Sequence, residues 1–70
     1  MNSGITIEVN GEKREVPSGL GVPALLSHLG LSIDRVAIER NLEILPRSEW
    51  ASTVVQLGDR YEIVQLVGGG

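Results

Sequence analysis

The stretch "ITIEVNGEKREV", residues 5–16, constrains the start of this chain to one shape. Ile5, Ile7 and Val9 alternate with Thr6 and Glu8, the two-residue period of a strand with one buried face. Asn10-Gly11 follows at once. Both central residues of a tight hairpin turn need positive φ, so "NG" after such a run predicts a hairpin. "KREV" is then the returning strand, closed by Pro17, Ser18 and Gly19.

At Val22 the period changes. Val22, Leu25, Leu26 and Leu29 fall on one stripe of a helix, with Pro23 in the first turn, where its missing N–H costs little. Gly30 follows the last apolar position as a C-terminal cap, which makes a helix of about two to three turns. Beyond it "RVAIE" and "LEIL" read as strands joined by a tight link at Arg40 and Asn41, and Pro46 ends the second. "RSEWAST" reads as a short helical turn or loop, and Gly58-Asp59 as a turn. "RYEIVQLV" is the longest strand candidate.

A hairpin, one helix and further strands make a two-layer α+β domain. The expected arrangement is a β-grasp, ubiquitin-like, with a mixed sheet of about five strands packed on one helix. Its first and last strands lie parallel in the centre. Seventy residues hold one such core, here residues 1–67, with 68–70 as a flexible glycine tail.

A net charge of −3 and a pI near 4.9 disfavour a nucleic-acid module. No apolar run is long enough for a bilayer, and "MNSGITIEV" lacks the features of a signal peptide, so the expected compartment is the cytoplasm. The chain has no cysteine, which excludes disulfides and thiolate metal sites.

Side-chain chemistry is sparse. His28 stands alone on the helix and reads as a surface residue. Lys13-Arg14 is too short for a nucleic-acid patch, and Gly19 and Gly21 lack the lysine of a phosphate loop. Trp50 reads either as an interface residue or as a cover over one edge of a thin core. No nucleophile, base and orienting acid assemble, so the expectation is a protein that is no enzyme by itself, with no metal site and no bound cofactor.

Two features ask for more than packing. If Tyr61 and Ile63 face the helix, Val64 and Leu66 face away, and a central strand covered on one side should be polar there. They form part of an exposed apolar patch unless a loop such as 46–53 covers them. The other feature is the ending "VGGG". Four extended residues reach about 13 Å, and a tail without Cβ atoms can enter a narrow channel in another protein. There the α-carboxylate of Gly70 can be activated as an adenylate and attacked by a persulfide or thiol. In this reading the chain is the substrate and its partners are the catalysts.

The chain resembles the ThiS family of sulfur carriers over nearly its whole length. The likeness is carried by "ITIEVNGEKREVPSG", "VPALLSHLGL" and "VAIERNLEILPRSEWASTVVQLGDRYEIVQLVGGG", most specifically by "LPRSEW" and by "GDRYEIV" leading to the terminal glycines. The resemblance implies a ThiF-type adenylating enzyme that uses ATP and Mg²⁺, a persulfide sulfur donor, and a ThiG-type thiazole synthase that receives the sulfur for thiamin. It makes Gly69 and Gly70 the reactive diglycine, with Gly70 activated and converted to a thiocarboxylate. Val64, Leu66, Gly68 and Gly69 become partner-binding residues of a carrier that is a monomer when free. The sequence departs from the family at Gly21, where a Thr-like cap is common, and at Gly68, which lengthens the pair to three. A MoaD-like or tRNA-thiolation carrier shares this fold and tail. A β-grasp interaction module with an inert tail is the reading from another class.

Overall fold

The computed structural model describes residues 4–66. Strands β1 (Gly4–Val9) and β2 (Glu12–Pro17) form the opening hairpin, followed by α1 (Val22–His28) and a 3₁₀ turn at Ile33–Arg35. Then come β3 (Val36–Arg40), β4 (Glu43–Ile44), a 3₁₀ segment at Arg47–Ser52 and β5 (Arg60–Gln65). The five-stranded sheet runs β2-β1-β5-β3-β4, with β1 parallel to β5 and the other neighbours antiparallel. One helix packs on one face of this mixed sheet, and the last strand lies in its centre. That is the β-grasp expected from the order of the elements. Among the described residues no helix is long and apolar enough to cross a membrane.

Local chemistry accounts for most of the boundaries. Asn10 and Gly11 adopt φ of 52° and 84°, the left-handed pair that the hairpin turn requires. A seven-residue helix is unstable alone, so α1 depends on burying Val22, Leu25 and Leu26. Its N-cap, Gly21, offers no side-chain cap. The carbonyl of Thr53 instead accepts from the Val22 N–H at 3.1 Å, and Pro23 has no N–H to satisfy. At the other end Gly30, with φ 76°, donates to the Ser27 carbonyl while the Leu31 N–H reaches Leu26, which is a Schellman closure.

The β3–β4 link differs from the sequence reading. The turn pair is Asn41-Leu42, with φ of 53° and 73°, rather than Arg40-Asn41. Arg40 stays in β3 opposite Tyr61 because its side chain is held at Asp59. Leu42 therefore takes a left-handed conformation that costs a side-chain-bearing residue on the order of 1 kcal/mol or more, and it is 81% exposed. The strand expected over 42–45 shrinks to Glu43–Ile44. β3 starts at Val36, one residue later than expected, because the 3₁₀ turn takes Arg35, and β5 ends at Gln65.

The core joins Ile7, Val9 and Val16 of the hairpin to Val22, Leu25 and Leu26 of α1 and to Val36, Ile38, Tyr61 and Ile63 of the central strands. Val55 and Trp50 close it. Trp50 is 3% exposed, its indole N–H donates to the Leu45 carbonyl at 3.0 Å, and the Arg47 guanidinium lies 4.6 Å from the ring centroid. Of the two readings of Trp50, the core cover is the one that holds.

Candidate functional site

β5 leads to the terminal glycines, so the site is built from whatever fixes that strand. Its backbone pairs with β1 over only two registered positions, Glu8 with Arg60 and Val9 with Tyr61. Side chains from the two hairpin turns extend the pairing. The Asn10 N–H donates to the Tyr61 carbonyl, and the Asn10 carboxamide then acts as an added backbone unit. Its Nδ2 donates to Ile63 O at 3.1 Å and its Oδ1 accepts from Ile63 N–H at 2.7 Å. Asn41 does the same at the start of β5, accepting from Arg60 N–H at 2.9 Å while its own N–H donates to Arg60 O at 2.7 Å. Beyond β5 the Leu66 N–H donates to Arg35 O at 2.7 Å, so the strand is paired as far as the described residues run.

Asp59 joins these pieces. Its carboxylate accepts from the Arg40 guanidinium at 3.0 Å, from Asn41 Nδ2 at 3.2 Å, from the Tyr61 hydroxyl at 3.0 Å and from the Gln56 N–H at 2.9 Å. Burial alone would push its pKa up; the hydrogen bonds from Gln56, Asn41, Arg40 and Tyr61 outweigh that and hold it below the usual carboxylate value. For Tyr61, burial and then the neighbouring Asp59 carboxylate raise the phenol from 10.0 to about 12, against the opposing pull of Arg40.

These shifts set the pH dependence of stability. The depressed Asp59 contributes stability that is present above the pKa of the unfolded chain, about 4, and is lost as pH falls through the folded value. The raised Tyr61 contributes stability that is present below about pH 10 and lost as pH rises toward 12. The chain has a single tyrosine, so phenolate absorbance reads this group directly. The expected titration midpoint is far above that of free tyrosine, with unfolding along the alkaline limb. Tyr61→Phe should flatten that limb, and an ordinary phenol midpoint in the folded protein would refute the assignment.

The outer face of the sheet carries a group of exposed apolar residues. Val64 is 59% exposed, Leu66 50% and Ile44 77%. Ala37, Ile38, Glu39, Ile44, Glu62 and Val64 line a shallow concavity of about 340 Å³. The loop that was the alternative cover for Val64 and Leu66 packs against α1 and sends Trp50 into the core, leaving both uncovered. His28 is exposed, as expected. Gly68, Gly69 and Gly70 lie outside the described residues. Asp59, Asn10 and Asn41 are what the sequence reading missed. The one available signal is an Asn in each hairpin turn flanking the central strand, where local sequence points to a turn former only.

A β-grasp whose central strand leads into a glycine-rich ending defines the ubiquitin-like class. The family model for the ThiS family matches residues 4–70, and the chain belongs to that family. Its similarity to the sulfur carrier protein ThiS of Escherichia coli is 33% identity over 61 residues, covering 87% of this chain and 92% of that one. The crystal structure of a thiamine biosynthesis protein (ThiS) from Geobacter metallireducens superposes with a TM-score of 0.81 at 35% identity, covering 94% of this chain and all of that one. A thiazole synthase of Paramagnetospirillum magneticum is 48% identical over 62 residues, 89% of this chain but 19% of that protein. The chain thus spans about a fifth of the length of the thiazole synthase it matches.

Proposed function

We propose that this chain is a sulfur carrier of thiamin biosynthesis and that Gly70 is its working residue. The observation that carries the reading is the match to the ThiS family from residue 4 through residue 70, glycines included, on a fold that superposes on a ThiS structure. The Gly70 carboxylate attacks the α-phosphorus of ATP in a ThiF-type partner, releasing pyrophosphate and giving an acyl adenylate, with Mg²⁺ held on that partner. A persulfide sulfur then attacks the glycine carbonyl and displaces AMP, leaving an acyl disulfide. A second thiol cleaves this disulfide and frees the thiocarboxylate, which a thiazole synthase consumes.

The chain's own contribution is presentation. Gly68 and Gly69 bring no Cβ to crowd the partner's channel, and a glycine carbonyl is the least hindered acceptor. Val64 and Leu66 dock the strand against the partner. The names of the thiazole synthase and ThiS relatives support the link to thiazole formation.

The test is the intact mass of the protein after incubation with ATP, the cognate adenylating enzyme and a persulfide source. A product heavier by the difference between sulfur and oxygen, mapped to Gly70 by fragmentation, is expected. An unchanged terminus, with the same enzyme active on another carrier, would overturn the proposal.

A further inference from the structure

We propose that the outer face between β3 and β5 docks a partner surface presenting an apolar side chain flanked by a guanidinium or ammonium group, and that the thiazole synthase supplies it. This rests on the carrier reading above and specifies the chemistry of its partner. The apolar part comes from Ala37, Ile44 and Val64 around the concavity, with Leu66 two positions further along the chain.

The charge is the more telling part. Glu39 and Glu62 stand directly opposite each other on antiparallel β3 and β5, and both are exposed. Like charges at such a position destabilise a sheet. Elsewhere on the same face Glu8 is matched, lying opposite Lys13 on one side and Arg60 on the other. Among the described residues the ion pair within 4 Å is Arg40–Asp59, so no internal cation answers Glu39 and Glu62. Both carboxylates border the concavity that Ile44 and Val64 line. A cation set between them relieves their repulsion and makes charge-assisted hydrogen bonds, while an apolar neighbour fills the floor.

The choice of thiazole synthase follows from the relatives in which a segment like this chain makes up about a fifth of a protein of that name. In such a polypeptide the two parts are held at high effective concentration, and a modest interface suffices.

The experiment titrates the chain against the cognate thiazole synthase. Two double variants are compared with the parent, Glu39→Gln with Glu62→Gln and Ile44→Thr with Val64→Thr. The carboxamide variant should melt at the parent's temperature or above, bind about tenfold more weakly, and show a shallower dependence of Kd on salt. The threonine variant should also bind about tenfold more weakly with the salt slope unchanged. Unaltered affinity and salt slope in the carboxamide variant would overturn the proposal, as would a defect seen only with the adenylating enzyme. If the parent takes up sulfur at Gly70 but never binds the synthase, the docking assignment fails and the carrier function stands. If it does neither, both fail together.

Discussion

Adding a single alanine after Gly70 is expected to abolish thiocarboxylate formation while leaving the melting temperature of the domain unchanged. On the proposed route the added residue moves the reacting carboxylate along the chain by about 3.5 Å and puts a methyl group on the carbon beside it. Adenylation is an in-line attack whose rate depends on placement, and a displacement of about 1 Å can already cost about 100-fold. The loss should therefore exceed 100-fold, read as ATP–pyrophosphate exchange and as the mass of the product. Stability should not follow, because the alanine is added after Gly70, itself four positions beyond Leu66, whose N–H bond to Arg35 O closes the pairing of β5 among the described residues. An interaction module with an inert tail predicts the opposite, full function in the extended protein. Sulfur loading at the parent rate would count decisively against Gly70 as the reacting residue.

The scaffold is legible in the sequence where one residue decides one local geometry. Asn10-Gly11 has few alternatives to a left-handed turn, and Gly30 after a helical stripe has few alternatives to a cap. The outward direction of Val64 and Leu66 followed from strand alternation alone, once Tyr61 and Ile63 were assigned to the core. What failed was decided by partners distant in the chain. The β3–β4 turn moved to Asn41-Leu42 because Asp59, 19 positions from Arg40, holds that side chain in line with β3. No local rule favours a leucine at φ 73°. Asn10 looked like a turn residue and is one, yet its carboxamide also completes the pairing of β5 from 53 positions away. The opposition of Glu39 and Glu62 was invisible for the same reason, since only the register of β3 on β5 brings them together.

The Asp59 network then yields the largest expected effect on stability. Asp59→Ala removes one carboxylate but strands four donors: the Arg40 guanidinium, the Asn41 carboxamide, the Tyr61 hydroxyl and the Gln56 N–H. The Asp59 side chain is 6% exposed and that of Arg40 28%, so water reaches the site only in part. Removing one member of a largely buried ion pair typically costs about 3–5 kcal/mol, chiefly because the remaining charge stays desolvated. For a domain of this size, total stability is on the order of 4–10 kcal/mol, so Asp59→Ala should leave much of the population unfolded near physiological temperature. Asp59→Asn keeps an acceptor oxygen and should cost less, about 1–3 kcal/mol. The origin of the loss can be separated from simple side-chain deletion by repeating Asp59→Ala in an Arg40→Ala background. With no guanidinium left unpaired, the second substitution should cost less than it does alone, with a coupling of about 1–3 kcal/mol in urea unfolding. Strict additivity would show that Arg40 and Asp59 do not act on each other, and the cost of Asp59→Ala would then belong to the Asn41, Tyr61 and Gln56 donors that the carboxylate also holds.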